Sequence, residues 1–235
     1  MKLTHLGLTR NQFQVLQYSQ LFHGLSDEQL HIAANHWHVK KHTDPAVLLL
    51  EGHSGDSVFM ILEGRAKIYC TDSGGREMAI GYKGSGELLG EMGFIDGTAR
   101  SATVETMTPT TLLWTDRVAF QECCKGAPII FENLLKIITT QLRLTNARLQ
   151  VLLAPNASCR VARLLIQIIP DTNVSGNTVV LPFKLSQSDI GAMAGLSRAS
   201  ANAVFAKWKR QGFLSIDAHH CVHIHDFTAL KREAE

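Results

Sequence analysis

The chain has 235 residues, a formal net charge of +2 and 45% hydrophobic residues. This composition excludes a disordered chain, because disorder requires low hydrophobicity and high net charge, and the length suits one large or two small domains. No apolar run reaches the roughly 18 residues that a membrane helix requires, and the first residues lack the apolar core of a signal peptide. We therefore expect a cytoplasmic protein without a membrane partner.

The first part of the chain predicts a helical lead-in followed by a β-rich region. Residues 1–20 are weakly patterned, as in a helix or an irregular segment, while Ser26 with Gln29 three residues later is a capping box that starts a helix. From about residue 45 the hydrophobic period is two, with glycine-containing turns between short runs. This spacing predicts a β-barrel or jelly roll. The predicted strands are 47–50, 58–62, 66–70, 78–82, 102–104 and 111–114.

One segment inside the β-rich region combines glycines, a carboxylate, a guanidinium and a hydroxyl, at residues 86–93 and 99–103. Gly90 lets a ligand approach the backbone, because it has no Cβ. Glu91 can accept a hydrogen bond from a sugar hydroxyl, and Arg100 with Ser101 suits phosphate oxygens. These residue types fit a nucleotide in a loop between two strands. The alternative is a surface turn with a Glu–Arg ion pair.

Around Pro128 the hydrophobic period becomes that of a helix, predicted to run over 128–154 and to end at Pro155. Its apolar seam favours a parallel homodimer, with packing against the β-rich region as the alternative. Thr145 is a polar residue on the seam and Asn146 lies beside it, and a polar seam residue usually sets register. The seam positions are Phe131, Leu135, Ile138, Leu142, Thr145, Leu149 and Leu152.

The C-terminal part predicts a helix-turn-helix with a β-hairpin wing. Ser186 with Asp189 forms a capping box for the first helix, and Ser197 caps the second, over about 198–211. All charges of the second helix are basic, which suits the phosphates of a DNA groove. Two ordinary core helices are the alternative. The other predicted elements are a helix over 159–169 and strands over 178–181, 213–216 and 221–225.

A β-roll, a long dimer helix and a winged helix-turn-helix, in this order, resemble the cAMP receptor protein (CRP/FNR) family over about residues 20–225. The segments 89–94 and 100–102 are similar to the phosphate-binding cassette of the members that bind cyclic nucleotides. Some rhizobial Clr-type cAMP receptor-like regulators look similar overall. The resemblance implies an α+β fold with a cyclic-nucleotide-binding β-roll (1–127), a dimerisation helix (128–155) and a winged helix-turn-helix DNA-binding domain (156–235).

The same resemblance implies roles for individual residues. Glu91 would hold the ribose 2′-hydroxyl, and Arg100 with Ser101 the cyclic phosphate. Thr145 and Asn146 match a pair that reads the purine edge, with one residue from each subunit. Because Asn146 replaces the usual serine and a carboxamide both donates and accepts, we expect weaker discrimination between cAMP and cGMP than in the best-known family member. The predicted ligand site is Ile68, Ile80, Leu89, Gly90, Glu91, Met92, Arg100, Ser101, Ala102, Thr145 and Asn146.

The resemblance also implies how DNA is read. Arg198 matches the family arginine that contacts O6 and N7 of guanine. Ala199 and Ala203 stand where the best-known member has Glu and Arg, so we expect a palindromic operator that keeps a guanine in each half-site but departs from the familiar consensus. Double-stranded promoter DNA, RNA polymerase and a second copy bound through 128–155 are the implied partners. The predicted DNA contacts are Ser186, Gln187, Ser188, Ser197, Arg198, Ser200, Asn202 and Lys207.

Two other classes of protein are alternatives. A regulator of the same fold that senses gas or redox state through haem or a thiol is disfavoured by the intact Glu91 and Arg100. A small barrel enzyme is disfavoured because no nucleophile with a base and no acid–base pair is apparent, so we expect no catalytic residue. cAMP, with cGMP as a second candidate, would act as an allosteric ligand, and we expect no cofactor.

We also expect no metal site. The five cysteines form no C-x-x-C pair, so they are predicted to be reduced thiols. Two groups of histidines resemble parts of metal sites, but neither has the carboxylate that would complete one. The groups are His36, His38 and His42 before the barrel, and His223 and His225 on one face of the wing.

Overall fold

The computed structural model describes residues 6–75, 77–169, 174–175, 177–181, 190–191, 193–217 and 222–235. The chain divides into two compact units, Met1–Ile138 and Thr139–Glu235. Within the described residues, no helix is long and apolar enough to cross a membrane. The predicted α+β class, with a β-rich first part followed by a long helix, is confirmed.

Two helices begin the first unit, α1 (Arg10–Tyr18) and α2 (Asp27–Ala34). Both start with a capping box. The N-cap hydroxyl accepts a hydrogen bond from the backbone N–H of the third helical residue, and the side chain of the glutamine at that position accepts one from the N-cap backbone N–H. Ser26 with Gln29 confirms the predicted helix start. Thr9 with Gln12 forms the other box, so the lead-in is helical over α1.

The β-rich part consists of two antiparallel sheets, with strand orders β1-β8-β3-β6 and β2-β7-β4-β5. Two strands were not predicted: β1, an edge strand whose histidines and lysines are mostly exposed, and β6, which has only two residues. Neither offers the alternation that identifies a strand. The strands are β1 (His38–His42), β2 (Val47–Leu49), β3 (Ser57–Glu63), β4 (Ala66–Thr71), β5 (Glu77–Lys83), β6 (Leu88–Leu89), β7 (Thr103–Thr106) and β8 (Thr110–Asp116).

Two further helices of this unit, α3 (Glu91–Asp96) and α4 (Arg117–Gly126), were not predicted. They pack together through Phe94 and Phe120, whose ring centroids lie 5.3 Å apart at 87°. Phe120 also contacts Trp37, which is only 1% exposed. The short helix α3, which follows directly on Gly90, is therefore fixed to the aromatic core of the unit.

The long helix α5 (Ile129–Leu152) confirms the predicted helix and is two residues shorter at its C-terminal end. Its first turns are anchored in the first unit by Ile130 and Leu134, which are 0% and 3% exposed. Along the predicted seam, by contrast, the apolar side chains are 44–58% exposed at Phe131, Leu135, Leu142, Leu149 and Leu152. This apolar row is therefore largely exposed on the helix.

The second unit combines helices with an antiparallel sheet of order β11-β12-β10-β9. Its core includes Phe205 and Trp208, both 0% exposed, with Phe213 5.1 Å from Trp208. The hairpin of β11 and β12 confirms the predicted wing strands. The elements are α6 (Ala157–Ile168), β9 (Val174–Ser175), β10 (Thr178–Val180), α7 (Arg198–Arg210), β11 (Leu214–Ile216), β12 (Val222–Ile224) and α8 (Phe227–Glu233).

The second helix of the predicted helix-turn-helix is present as α7, with Ser197 as its N-cap. Before it, the chain reverses at Gly195, which adopts φ +64° as a helix-ending glycine does. The predicted capping box of the first helix, Ser186 with Asp189, lies outside the described residues.

Candidate functional site

The centre of the candidate site is Gly90, which joins β6 to α3 in a left-handed conformation with φ 77° and ψ 15°. A Cβ at this position would lie 2.6 Å from Arg100 Nη1 and 2.7 Å from Leu49 Cδ1. Only glycine meets both requirements without strain. Its missing side chain is the space that the guanidinium of Arg100 occupies.

Arg100 is 5% exposed, and hydrogen bonds hold its guanidinium on two sides. Nη1 donates to the carbonyl of Gly90 at 2.7 Å, and Nη2 donates to the carbonyl of Ser57 at 2.6 Å. Nε is buried and has no hydrogen-bond partner among the described residues. A buried N–H without an acceptor is unusual. The arrangement therefore holds a fixed, buried cation with one N–H group that lacks an acceptor among the described residues.

The backbone of Arg100 is held as firmly as its side chain. Its N–H donates to the carbonyl of His53 at 2.8 Å, and its carbonyl accepts from the N–H of Gly52 at 2.9 Å. Burial lowers the pKa of the Arg100 guanidinium, and the neighbouring carboxylates of Asp56 and Glu91 oppose that shift. Because arginine has so high an ordinary pKa, the group keeps its positive charge.

Glu91 begins α3 and is 6% exposed, and it is paired with a residue that the sequence analysis missed. Lys83, the last residue of β5, is 9% exposed, and its Nζ lies 3.3 Å from Glu91 Oε1. The same ammonium donates to the carbonyl of Leu88 at 2.7 Å. The spacing of residues in the sequence does not predict this ion pair, because the pair depends on the path of the turn that follows β5.

The other predicted ligand residues of the first unit lie in different surroundings. Leu89 is 1% exposed and Ile68 packs against the same apolar cluster, whereas Ile80 on β5 is 48% exposed. Ser101 is exposed, and its Oγ lies 3.9 Å from the sulfur of Met92. Ala102 is half-buried. The structure thus brings Leu89, Gly90, Glu91 and Arg100 together, with Ser101 at the surface beside them.

Thr145 and Asn146 belong to the second unit, where both are exposed on α5. The hydroxyl of Thr145 donates to the carbonyl of Gln141 at 3.0 Å, one turn earlier in the same helix. Such back-bonding satisfies a hydroxyl inside a helix. Asn146, which is also exposed, carries both a donor and an acceptor on its carboxamide.

The predicted DNA contacts in α7 and at its N-cap have side chains in different surroundings. Arg198 is exposed, whereas the hydroxyls of Ser197 and Ser200 lie 2.9 Å apart within the helix cap. Asn202 has a buried Oδ1 without a partner among the described residues. Lys207 is engaged elsewhere, since its Nζ lies 3.0 Å from Glu233 Oε1 of α8. Ser186, Gln187 and Ser188 lie outside the described residues.

Two further basic residues of α7, Lys209 and Arg210, are not among the predicted contacts and are exposed at its C-terminal end. The positive charge available on this helix is therefore at Arg198 and at its last turn. The all-basic composition of the segment was a signal for these two residues. It could not show that Lys207 is bound to a glutamate from a helix about 26 residues later.

The thiols near the β-rich core are poorly suited to redox sensing. Burial raises the pKa of Cys123 to about 12, and it also raises the pKa of Cys70 and Cys124. The thiolate is the reactive form of cysteine. A raised pKa therefore makes each of these three thiols less reactive than a free cysteine.

Comparison with known proteins identifies both units. Residues 39–126 match the cyclic nucleotide-binding domain, and residues 159–233 match the Crp-like helix-turn-helix domain. The cyclic AMP receptor protein of Thermus thermophilus is 25% identical over 198 residues, which is 84% of this chain and 89% of that protein. The CRP-like cAMP-activated global transcriptional regulator of Mycobacterium tuberculosis is 29% identical over 185 residues, covering 78% of this chain and 82% of that protein.

A solved structure shows the same fold over nearly the whole length. A CooA mutant from Carboxydothermus hydrogenoformans superposes with a TM-score of 0.70 and covers 97% of both chains, at 21% sequence identity. The shared architecture extends from the β-rich part to the C-terminal helices.

Gly90→Ala tests the close approach of Arg100. We expect the free energy of unfolding to fall by about 1–2 kcal/mol from the left-handed conformation alone, and further because the guanidinium must move. Gly75→Ala is the matched control, since Gly75 also has a positive φ of 81° but a Cβ there meets nothing within 4 Å. Denaturant unfolding of the two variants measures the difference, and equal stabilities would contradict the assignment.

Proposed function

The chain belongs to the CRP family of cyclic-nucleotide-binding transcription regulators, and from this premise we propose that cAMP is the ligand that controls its binding to palindromic promoter DNA. Its relatives are regulators and not enzymes. The observation that supports the proposal best is the buried cation of Arg100 with an unpaired Nε, next to a carboxylate. A small molecule with an anionic group and a hydroxyl would match both charges, because the anion would pair with the cation and the hydroxyl would donate to the carboxylate.

The chemistry of a cyclic nucleotide fits the two ends of this site. Its phosphate would accept from Arg100 and from the exposed hydroxyl of Ser101, and charge-assisted hydrogen bonds of this kind are among the strongest in proteins. Its ribose hydroxyl would donate to Glu91. Gly90 leaves the backbone open for close approach. The half-buried Ile68 and the exposed Ile80 would provide apolar contact for the purine.

We infer that the protein acts as a homodimer through the long helix. The exposed apolar row on α5 repeats with heptad spacing and includes Leu135, Leu142 and Leu149, each more than half exposed. A second copy of the same row would bury these side chains, as in a parallel coiled coil. Asn146, exposed beside this row, would then meet the purine of a ligand bound to the partner subunit.

In the proposed mechanism the ligand selects one dimer geometry. A ligand shifts a conformational equilibrium only by its difference in affinity for the two states. A nucleotide that contacts the β-roll of one subunit and Asn146 of the other binds best when both are correctly placed. In that geometry the two α7 helices would lie about 34 Å apart and enter successive major grooves. The dimer would act in the cytoplasm, with RNA polymerase as its further partner at the promoter.

Arg100→Ala should abolish binding of cAMP, because it removes the buried cation that faces the phosphate. Calorimetry should show at least about a hundredfold loss of affinity, as expected for one charge-assisted pair of hydrogen bonds. Arg65→Ala is the control, because Arg65 is an exposed arginine of the same unit. Unchanged affinity in the Arg100 variant would contradict the proposed phosphate contact.

Asn146→Ala should alter ligand choice and activation more than affinity. We expect cAMP affinity within about tenfold of the wild type, a changed ratio of cAMP to cGMP affinity, and weaker ligand-dependent DNA binding. Arg143→Ala, an exposed position on the same helix, is the control. In the wild type, a preference for cAMP of about a thousandfold, or about 4 kcal/mol, would contradict weak discrimination between the two ligands.

Selection of binding sites from randomised duplex DNA tests the proposed function as a whole. With cAMP present, the protein should enrich a palindrome with a guanine in each half-site, and without ligand the enrichment should be lost. Arg198→Ala should remove the preference for guanine, at a cost of about 1–3 kcal/mol per contact. Lys125→Ala, an exposed lysine of the first unit, is the control. Enrichment that is equal with and without cAMP would contradict a ligand-controlled regulator.

A further inference from the structure

Lys83 is a buried cation that the sequence pattern does not explain. It is the last residue of β5, a strand whose other side chains are mostly exposed, yet it is only 9% exposed itself. A lysine is seldom buried without a partner, because removing an ammonium from water is costly. Here the ammonium is turned toward the carbonyl of Leu88 and the carboxylate of Glu91.

The pairing leaves one donor and one acceptor uncommitted at the same point. An ammonium has three N–H groups, and two of them meet acceptors in the part of the chain that the structure describes. Glu91 uses Oε1 to bind Lys83. Its Oε2 has no hydrogen-bond partner among the described residues. This oxygen is not fully buried.

A hydroxyl group satisfies both of these vacant positions, because it donates one hydrogen bond and accepts others. We propose that Lys83 is a ligand-binding residue that reads the ribose 2′-hydroxyl together with Glu91. The hydroxyl donates to Glu91 Oε2 and accepts from the third N–H of Lys83. This proposal rests on the proposed function, since it assumes a ribose at Glu91.

The consequence is selectivity for ribose over deoxyribose. A ligand without the 2′-hydroxyl leaves a carboxylate oxygen and an ammonium hydrogen unpaired between two residues that are each less than 10% exposed. Sites built to bind a hydroxyl reject analogues that lack it far more strongly than apolar pockets reject a missing methylene. With Lys83 present, two hydrogen bonds to charged groups depend on the same hydroxyl, where Glu91 alone would supply one.

The pair also affects the phosphate end. A carboxylate near an anionic ligand opposes binding, and an ammonium 3.3 Å from that carboxylate offsets its charge. Removing Lys83 should therefore weaken the binding of both a ribose ligand and its deoxy analogue. The proposal differs from this general effect in predicting that the ribose ligand loses more.

The decisive measurement is the ratio of the affinities for cAMP and 2′-deoxy-cAMP, by calorimetry on the full-length protein. In the wild type the deoxy ligand should bind at least about a hundredfold more weakly. In Lys83→Met this ratio should shrink by about tenfold, because one of the two hydrogen bonds to the hydroxyl is lost. Lys67→Met, which breaks an exposed ion pair with Glu77 on the neighbouring strands, should leave the ratio unchanged.

A role for Lys83 in stability alone would give a different result. It would lower the free energy of unfolding of Lys83→Met and leave the affinity ratio at its wild-type value, which would overturn the proposal. Lys83→Gln guards against a variant that does not fold. Its amide can still donate to Glu91, but it is uncharged and one bond shorter, so the ratio should again shrink.

The outcomes also separate this proposal from the one on which it rests. If the wild type binds neither ligand, the proposed function fails and the role of Lys83 fails with it. If the wild type binds cAMP and both Lys83 variants keep the full ratio, only the role of Lys83 is overturned. A reduced ratio in both variants, with the ratio of Lys67→Met unchanged, supports it.

Discussion

The candidate site depends on the burial of one guanidinium. Arg100 is almost removed from solvent, and its two terminal nitrogens are held by the carbonyls of Gly90 and Ser57, at 2.7 and 2.6 Å. These carbonyls belong to separate segments, the turn before α3 and the start of β3. A buried charge is costly unless it is paired or hydrogen-bonded. The guanidinium therefore joins both segments, and it leaves no space for a side chain at Gly90.

The charges of the site are arranged in sequence from one end to the other. Arg100 presents a cation whose Nε lacks an acceptor, while Glu91 and Lys83 form a nearly neutral pair whose remaining groups suit a hydroxyl. Backbone carbonyls satisfy much of both cations, so the side chains are oriented before any ligand arrives. Such preorganisation lowers the entropy lost on binding. The proposed selectivity for ribose over deoxyribose therefore depends on where Lys83 and Glu91 are held, and not only on which residue types they are.

Regulation needs a link from this site to DNA, and α5 is the element that the family fold provides. The helix begins in the core of the first unit, through Ile130 and Leu134, and continues into the second. Its exposed apolar row is the feature that a second copy would cover. A ligand that engages residues of both copies would couple binding to dimer geometry, which is the differential affinity that allostery requires. The exposed Asn146 beside the row is the proposed contact point.

The amino-acid pattern predicted the elements with strong periodicity: most β-roll strands, the long helix and the basic helix capped by Ser197. It also indicated the cassette around Gly90 and Arg100, because those residue types in that order suit a nucleotide. The packing of distant segments buries Lys83 against Glu91, pairs Lys207 with Glu233 and makes β1 an edge strand, and the amino-acid pattern predicted none of these. Periodicity reports which face of an element is buried, whereas the partner of a charged side chain depends on how distant segments pack.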